Sequence, residues 1–480
     1  MSKKNKLIPR NQDFNDWYNS VVKMADLADY GPVRGTMIVK PYGWAIWENI
    51  QKALDTRFKA TGVENAGFPM LIPHSFLQKE AQHIEGFAPE LAIVTHGGGE
   101  ELAEPLVVRP TSETIIGYAY SNWVQSYRDL PILINLWNSV VRWEMRTKLF
   151  LRTLEFYWQE GHTAHATFEE ADERTKMMLD VYTDFAVNEA AVPVIPGEKS
   201  EMERFAGAIQ TTTIEAMMGD GKALQSATSH NLGQNFAKAF EIQYLDDNNQ
   251  QQFAWTTSWG LSSRFVGAII MTHGDDNGLV LPPNIAPIQV VIVPIYKTDD
   301  DKAALFAAAD KLAQELKDAE ITVKVDTRES LSPGFKFNDW EMRGVPVRLE
   351  LGPRDLENNA VVAARRDIPG RDGKQSLSQN GLAPNIQALL SEIQANLLAK
   401  ATQFRDDNTL DTASMEEFEQ AVKTGFAKVW WAGDTEDEIA IKEKTKATIR
   451  CFPHEQPGGT GTCFYTGKPA DKIAIFGRAY

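Results

Sequence analysis

A proline-rich break at residues 281–287, with the sequence LPPNIAP, limits what this chain can fold into more than any other local feature. Its three closely spaced prolines cannot continue a helix or a central strand, so the segment predicts a linker between separately packed parts. The chain has 480 residues, more than one hydrophobic core organises. We therefore expect one domain over residues 1–281 and a change of architecture after it.

After the break, short apolar strands alternate with amphipathic helices. The pattern predicts helices at 302–319 and 385–400 and strands at 288–295, 321–325, 345–351 and 360–364. Such an alternation over about 100 residues is typical of one compact α/β domain, which we assign to residues 282–400. The remaining residues, 401–480, begin with an acidic helix and are predicted to form a small C-terminal α/β domain.

The segment before the break has a different pattern. Apolar residues recur every three or four positions from residue 44 to residue 58 and predict an amphipathic helix. Thr167 and Glu170 form a capping-box pattern that opens another helix. Strands are predicted at 106–109, 132–136 and 253–257. The long, irregular connections between them favour an α+β fold, a mostly antiparallel sheet flanked by helices, over a strict βαβ repeat.

Composition and charge exclude several classes of protein. The formal net charge of −16 argues against a surface coated with basic residues for nucleic acid, although it is compatible with a local basic patch. Two cysteines cannot build a disulfide framework, and no apolar run is long enough for a membrane span. The charged N-terminus leads into no apolar segment typical of a secretory signal. We expect a cytoplasmic protein without membrane association.

The placement of arginines is the strongest chemical signal. The chain lacks a Walker A loop, a nucleophile elbow, a zinc-protease motif and a dinucleotide-binding glycine fingerprint. Instead, Arg142 lies two residues before Glu144, and Arg152 lies four residues before Phe156. Arg264 follows in the separate segment GLSSRFVGA. One such arginine alone is compatible with a surface ion pair, but the ordered set indicates a site for anions.

These segments resemble the three signature motifs of class II aminoacyl-tRNA synthetases. The dipeptide at 68–69, Phe-Pro, resembles motif 1, which lies at the dimer interface in that class. The segments 142–156 and 260–268 resemble motifs 2 and 3. Activation of a carboxylate by ATP brings two anions together, and fixed guanidinium groups can hold both. The resemblance implies catalytic roles for Arg142, at the α-phosphate and the amino-acid carboxylate, and for Arg264, at the distal phosphates.

Further strings resemble the prolyl-tRNA synthetase family over nearly the whole chain. They are RPTSET at 109–114, WQEGH at 158–162, TSHNLGQNF at 228–236, SWG at 258–260 and MTHGD at 271–275. The resemblance implies a proline pocket made of Thr111, Glu113, Arg142, Trp158, Glu160, His162, Phe205, His230 and Ser258. It also implies ATP contacts from Arg142, Glu144, Arg152, Thr153, Phe156, Gln225, Thr228, Ser262 and Arg264.

This pocket chemistry suits proline. Thr111 and Glu113 would accept hydrogen bonds from the protonated secondary amine, and aromatic side chains would wall the saturated ring. The resemblance implies two-step ligation of L-proline to tRNA(Pro) through a prolyl-adenylate, with ATP as substrate, Mg²⁺ and a homodimer. The α/β domain would bind the anticodon, with Glu341, Arg348 and Asp355 reading its guanines.

The spacing of the motifs indicates one branch of the family. Only about 120 residues separate Glu144 from Arg264, which leaves no room for the large editing domain that one branch inserts there. The region after residue 401 and the terminal Gly-Arg-Ala-Tyr resemble the archaeal and eukaryotic cytoplasmic branch, which some bacteria share. Relatives in that branch direct a terminal tyrosine toward the active site, so we expect Tyr480 to be ordered and buried.

Related enzymes bind zinc in the C-terminal region through two pairs of cysteines. The matching positions in this chain are Ala432, Asp437, Cys463 and Thr466. Because a structural zinc site needs four good donors and one thiolate remains, we expect no zinc. A conceivable alternative set of ligands is Cys451, His454, Cys463 and Asp437.

Three other interpretations stay open at this point. The nearest is another class II synthetase, for threonine, serine or glycine; the threonine enzyme uses an active-site zinc, and no cysteine precedes Cys451. The second is a non-catalytic paralogue, a kind of protein that usually loses the ATP-contacting arginines. Arg142, Arg152 and Arg264 are all present here. The third is a purely structural protein, which would have no need of the pocket motifs.

Overall fold

The computed structural model of this protein describes residues 7–77 and 91–480. Its dominant feature is a sheet of eleven strands, called here the large sheet. In spatial order its strands are Thr409–Asp411, Phe426–Trp431, Lys472–Gly477, Thr448–Pro453, Val194–Glu198, Gln210–Met217, Ala223–Gly233, Trp255–Ser262, Glu155–His165, Ile132–Val141 and Glu64–Asn65. The pair at each edge is parallel and the inner pairs are antiparallel, so the predicted mostly antiparallel sheet is confirmed.

Helices cover this sheet because each presents one apolar face. The helix Pro41–Ala60 contains the amphipathic segment predicted from the apolar repeat. The helix Phe168–Asp184 begins after Thr167, whose hydroxyl accepts from the backbone N–H of Glu170 at 3.2 Å, as the capping pattern predicted. The Glu170 carboxylate accepts in turn from the backbone N–H of Ala166, at 3.1 Å. The largest core lies where these helices meet the sheet, and it buries Trp17, Trp47 and Trp259.

Shorter elements surround this unit. Further helices are Phe14–Met24, His74–Leu77, Glu113–Trp123, Asn235–Phe240 and Arg264–His273. A three-stranded sheet has the order Leu71–Pro73, Glu100–Val108 and Ala92–Gly97. Two-stranded pairs are Ala28–Tyr30 with Met37–Val39, Gln243–Leu245 with Gln251–Phe253, and Gly461–Thr462 with Pro469–Ala470. Between residues 144 and 264, all of them described, the chain forms strands of the large sheet, helices and one such pair, with no inserted domain.

A second sheet, called here the small sheet, follows the proline-rich break. Its strands are Val323–Val325, Val290–Pro294, Val347–Leu351, Ala360–Arg365 and Lys374–Ser378, the first three parallel and the last two antiparallel to their neighbours. The helices packed with it are Asp299–Asp318, Pro333–Met342, Pro353–Glu357 and Leu382–Asp407. The break itself is docked, because the backbone N–H of Leu281 donates to the carbonyl of Gly344 at 3.2 Å and Ile285 is buried in the main core.

The C-terminal part of the chain extends the large sheet. Its strand Thr448–Pro453 pairs with Val194–Glu198, and its helices are Met415–Thr424 and Thr435–Thr445. Gly197 permits this pairing, since a Cβ there would lie 2.4 Å from the Phe452 carbonyl oxygen. The predicted boundary at residue 400 falls within the helix Leu382–Asp407, and the division into three domains stays a prediction. No helix in the described ranges is long and apolar enough to cross a membrane.

Candidate active site

A cavity of about 330 Å³ opens on one face of the large sheet. It brings together, from the sequence-predicted set, Thr111, Glu113, Arg142, Glu144, Arg152, Thr153, Phe156, Trp158, Glu160, Phe205, Gln225, Thr228, His230, Ser258, Ser262 and Arg264. Strand register explains this convergence. Ser258 lies opposite His162 on one neighbouring strand and His230 on the other, while Ser262 lies opposite Trp158. Because side chains alternate along a strand, residues two apart share a face, and distant segments meet there.

Two buried carboxylates, Glu113 and Glu160, form one end of the cavity. The Thr111 hydroxyl donates to Glu113, which is the first residue of the helix Glu113–Trp123, where the helix dipole favours negative charge. Glu160 accepts from the backbone N–H of Ser112 at 3.1 Å and from the Asn138 amide at 2.9 Å. A buried end rich in carboxylate oxygens suits a cationic group such as a protonated amine.

His162 lies behind Glu160, away from the cavity wall. Its Nε2 is 3.1 Å from Glu160 Oε2, and the residue is 2% exposed. Burial lowers the pKa of His162, but the hydrogen bond to Glu160 and the attraction of Glu160 and Glu113 raise it by more, so it lies above its ordinary value. The structure therefore differs from the predicted wall position: His162 reaches the pocket through Glu160.

Aromatic rings and a hydroxyl form the middle of the cavity. The rings of Phe205 and His230 lie with centroids 4.6 Å apart, and His230 Nδ1 is 3.0 Å from Thr211 Oγ1. Burial lowers the pKa of His230 to about 4, so its ring is neutral at pH 7. Ser258 carries a buried hydroxyl with no hydrogen-bond partner among the described residues. This hydroxyl can therefore bond to a ligand.

The other end of the cavity contains arginines oriented by backbone oxygens. Arg142 Nε donates to the carbonyl of Pro110 at 3.0 Å, and its guanidinium lies 5.4 Å from the ring centre of Phe156. Arg264 Nε donates to the carbonyl of Leu151 at 3.1 Å. These bonds fix the direction of each side chain before any ligand arrives, which favours bidentate recognition of anions.

The third arginine, Arg152, donates to Glu144 at 3.0 Å. Burial, followed by repulsion from Arg152 and Arg142, lowers the pKa of Arg264 to about 10. This repulsion destabilises the free protein, so an anion bound among the three guanidinium groups would be favoured.

The remaining predicted ATP contacts line the same end. Gln225 and Thr228 lie on the strand Ala223–Gly233. The Thr153 hydroxyl donates to the carbonyl of Glu155 at 2.6 Å, so it orders the turn after Arg152. Ser262 Oγ accepts from the backbone N–H of Arg264 at 3.3 Å.

Sequence reasoning missed residues that hold the predicted ones in place. The Asn138 amide donates to Glu160 at 2.9 Å, and its carbonyl oxygen accepts from Trp158 Nε1 at 2.6 Å. Thr211 Oγ1 accepts from the backbone N–H of Phe205 at 3.0 Å. The available signal was the polar group Asn135, Asn138 and Ser139 within the mainly apolar strand Ile132–Val141.

The last residue, Tyr480, reaches the arginine end of the cavity. Its hydroxyl donates to Asp220 at 2.7 Å, and Arg152 donates to its main-chain oxygen at 3.0 Å. The ammonium groups of Lys148 and Lys222 lie 4.9 Å and 4.8 Å from its ring centre. Tyr480 is half-buried and not fully buried as expected, because charged groups as well as apolar core surround the ring.

A second cavity of about 330 Å³ lies beside the small sheet and contains two of the three predicted anticodon residues, Glu341 and Arg348. Arg348 pairs with Glu350 at 2.8 Å, and its guanidinium lies 4.2 Å from the ring centre of Phe337. Asp355 lies outside this cavity and accepts from the backbone N–H of Gly352 at 2.8 Å, so it caps the helix Pro353–Glu357.

The positions considered in the sequence as possible zinc ligands hold other contacts. Asp437 accepts from the backbone N–H of Asp434 at 3.2 Å. Burial raises the pKa of the Cys463 thiol, but hydrogen bonds from Thr466 and from the Ala432 and Tyr465 backbone lower it below its ordinary value. Within 7–77 and 91–480, no group of three or more His, Cys, Asp or Glu side chains is arranged to hold a metal ion.

Comparisons with known families agree with this geometry. Residues 95–273 match the class II core domain of tRNA synthetases for G, H, P, S and T, and residues 289–389 match an anticodon-binding domain. Residues 415–480 match the C-terminal domain of prolyl-tRNA synthetase. The fold, the arginine-lined cavity and the core match define a class II aminoacyl-tRNA synthetase.

Curated relatives extend the match to nearly the whole chain. The proline–tRNA ligase of Chloroflexus aurantiacus is 58% identical over 473 residues, 98% of each chain. The chloroplastic/mitochondrial proline–tRNA ligase of Arabidopsis thaliana is 57% identical over 476 residues, 98% of this chain and 88% of its own. The enzyme named proline–tRNA ligase in Bacteroides fragilis is 53% identical over 493 residues, 99% of each. This chain therefore belongs to the prolyl-tRNA synthetase family.

Proposed function

We propose that this chain ligates L-proline to tRNA(Pro) in two steps. The proline carboxylate attacks the α-phosphorus of ATP, which forms prolyl-adenylate and releases pyrophosphate. A hydroxyl at the 3′ end of the tRNA then attacks the prolyl carbonyl carbon and releases AMP. The observation that carries this proposal is one cavity with a carboxylate end at Glu113 and an arginine end at Arg142, Arg152 and Arg264. An amino-acid cation and a nucleoside triphosphate suit these two ends.

At the carboxylate end, Glu113 and Thr111 would accept hydrogen bonds from the secondary ammonium of proline. Trp158, Phe205 and His230 would enclose its ring, and Ser258 offers a hydroxyl that needs a partner. Neutral His230 adds no repulsion against the ammonium. The same pocket would hold threonine or serine less well, because these side chains lack the ring methylenes that would pack against its aromatic wall.

At the arginine end, Arg142 would contact both the amino-acid carboxylate and the α-phosphate. Its fixed guanidinium would stabilise the charge that builds on the phosphate oxygens as the new bond forms. Arg152 and Arg264 would hold the distal phosphates, while Phe156 would stack on the adenine and Glu144 would accept from its amine. Thr153, Gln225, Thr228 and Ser262 would complete the nucleotide contacts.

We also propose that Mg²⁺ accompanies ATP. In nucleotide sites this ion is held largely by phosphate oxygens and supplies charge neutralisation. The described residues contain no preassembled cluster of metal ligands, which is compatible with an ion that arrives bound to ATP. Because Ala432 and Thr466 offer no zinc ligand of the usual kind, we propose that the C-terminal region folds without zinc.

The cavity beside the small sheet would bind the anticodon of tRNA(Pro). Arg348 can bond to guanine, since arginine pairs bidentately with guanine O6 and N7. Phe337 supplies an aromatic face for stacking, and Arg371 and Lys374 on the cavity wall supply positive charge for phosphates. To read a guanine, Asp355 would have to use the carboxylate oxygen that does not accept from the backbone N–H of Gly352.

We further propose a cytoplasmic homodimer. Near motif 1, the large apolar side chains of Met70, Leu71, Tyr118 and Trp123 are each more than two-fifths accessible. Exposed apolar groups of this kind mark association surfaces. Both cysteines are free and buried, which suits a reducing compartment.

A screen of amino acids in ATP–pyrophosphate exchange tests the proposed function. We expect rapid exchange with proline and weak exchange with alanine. The pocket distinguishes alanine from proline only because alanine lacks the methylene groups that contact its wall. Arg142→Ala should lower the exchange rate at least about a hundredfold, because one removed charge-stabilising donor costs about 3 kcal/mol. Arg128→Ala, which removes an exposed arginine next to Tyr127, is the matched control. A clear preference for threonine, serine or glycine would contradict the proposal.

A further inference from the structure

The segment 199–209, called here the pocket segment, carries an aromatic wall of the proposed proline pocket. It connects the strands Val194–Glu198 and Gln210–Met217, and its Phe205 lines the cavity. Along most of its length it is not a regular strand or helix, so contacts with its neighbours must fix its course. Several of these contacts come from the C-terminal part of the chain.

The first contact is a buried cluster of charges at the start of the pocket segment. Lys199 Nζ lies 2.7 Å from Glu215, and Arg450 lies 3.1 Å from the other oxygen of the same carboxylate. The side chains of Lys199, Glu215 and Arg450 are 1%, 0% and 5% exposed. Arg450 belongs to the strand Thr448–Pro453. Removal of one member would leave the others buried without full compensation, so this cluster fixes its parts in one arrangement.

The second contact follows one residue later. Glu438, on the helix Thr435–Thr445, accepts from the Ser200 hydroxyl at 3.1 Å. The same carboxylate oxygen accepts from the backbone N–H of Ile449 at 3.2 Å. Glu438 is 2% exposed, so these bonds are shielded from water. The C-terminal part of the chain therefore holds Ser200 directly through Glu438, and it holds Lys199 indirectly, because Arg450 and Lys199 share the Glu215 carboxylate.

From this anchor, a short series of bonds leads to the pocket. The backbone N–H of Lys199 donates to the carbonyl of Thr211 at 2.9 Å. The Thr211 hydroxyl oxygen accepts from the backbone N–H of Phe205 at 3.0 Å and lies 3.0 Å from His230 Nδ1. A shift of the anchored residues would thus move the Phe205 and His230 rings that face each other across 4.6 Å.

We propose that Glu438 and Arg450 are positioning residues for the amino-acid substrate, through which the C-terminal part of the chain holds the pocket segment against the cavity. This inference rests on the proposed function, because it assigns the aromatic wall to proline. The nucleotide end is built on other segments, around Arg142 and Arg264, so loss of the anchor affects amino-acid binding more than ATP binding. Neither residue touches the cavity itself.

Three variants separate this role from general stabilisation. Glu438→Ala removes the acceptor for Ser200, whereas Glu438→Gln keeps an oxygen in the same place. Ser200→Ala removes only the hydroxyl. Lys444→Ala is the matched control, because Lys444 lies on the same helix, is 60% exposed and pairs with Glu419 on the surface. The assay is ATP–pyrophosphate exchange by the full chain, with KM for proline, KM for ATP and kcat determined separately.

Glu438→Ala is expected to raise the KM for proline about five- to tenfold, as the loss of a buried hydrogen bond implies, while the KM for ATP stays within about twofold. Glu438→Gln is expected to restore most of the proline affinity, and Lys444→Ala to leave both constants unchanged. Ser200→Ala should raise the KM for proline in the same direction and tests the contact even if Glu438→Ala fails to fold.

Equal rises in both KM values, or an unchanged KM for proline in Ser200→Ala and Glu438→Ala, would overturn the positioning role. A different result would contradict the proposed function, namely that the unmodified chain shows no proline-dependent exchange. That result would overturn both proposals, whereas normal wild-type exchange with insensitive variants would overturn only this one.

Discussion

Replacement of Arg264 by glutamine should make the free protein more stable and almost inactive at the same time. Burial and the repulsion of Arg152 and Arg142 lower the pKa of Arg264 from its ordinary value to about 10. A fall of that size corresponds to about 3 kcal/mol against the charged form. The penalty is fully present at every pH below the folded-state pKa, so it applies at pH 7.5, and it disappears only when the pH exceeds the ordinary value.

The expected gain in stability is smaller than this figure. Arg264 borders the open cavity and is partly exposed, so water screens part of the repulsion, and we expect about 1–2 kcal/mol. Glutamine is neutral, and its amide N–H can replace the bond from Arg264 Nε to the carbonyl of Leu151. The variant should therefore unfold at a higher temperature or denaturant concentration than the wild type when ATP is absent.

ATP should reverse this order. Saturating ligand at about a hundred times its Kd stabilises the wild type by about 3 kcal/mol, and the variant should lose most of that shift. Its pyrophosphate exchange should fall at least about a hundredfold. The measurement is a set of paired melts with and without ATP, with Arg128→Gln as the surface control. A variant that is less stable than the wild type without ATP, or that keeps the full ATP shift, would refute the reasoning.

Three further predictions concern other parts of the molecule. Glu113→Gln should raise the KM for proline at least about tenfold in the exchange assay and leave the KM for ATP unchanged, because a charge-assisted hydrogen bond is lost; equal affinity would remove Glu113 from the amine site. Deletion of Tyr480 should lower the exchange rate several-fold, since Arg152 and Lys148 lose contacts; full activity would exclude a docking role. Metal analysis of untagged protein purified without chelators should find far less than one zinc per chain, and a ratio near one would show that Cys463 and its neighbours bind metal.

Local patterns in the sequence were sufficient for much of the fold. The apolar repeat at 44–58 and the capping pattern at Thr167 each correspond to a helix, because spacing and end signals act within a few residues. In the segment that follows the proline-rich break, up to residue 400, every predicted strand and helix is present. The strand Lys374–Ser378 and the helix Pro333–Met342 were missed, since the first is a polar edge strand and the second buries few residues.

The same local patterns do not predict which strands pair when they lie far apart in the chain. The sequence analysis predicted no strand at 448–453, and local patterns do not show that this segment pairs with Val194–Glu198 and extends the large sheet. That pairing depends on the close approach of Gly197 to Phe452, which joins residues far apart in the chain. The position of His162 behind Glu160 could not be predicted for a related reason. The alternation of side chains along the strand shows which face of the sheet His162 lies on, but it does not show that Glu160 lies between His162 and the cavity.

The cavity combines groups that are unfavourable in the free protein and favourable with both substrates bound. Arg264 is repelled by its neighbours, and the Ser258 hydroxyl is buried without a partner in the described structure. ATP would neutralise the arginines, and proline would place its ammonium beside Glu113. Its carboxylate would meet Arg142, which also borders the phosphate site. The two anionic groups would therefore share one guanidinium, so bound ATP should change the affinity for proline and bound proline should change the affinity for ATP by the same factor.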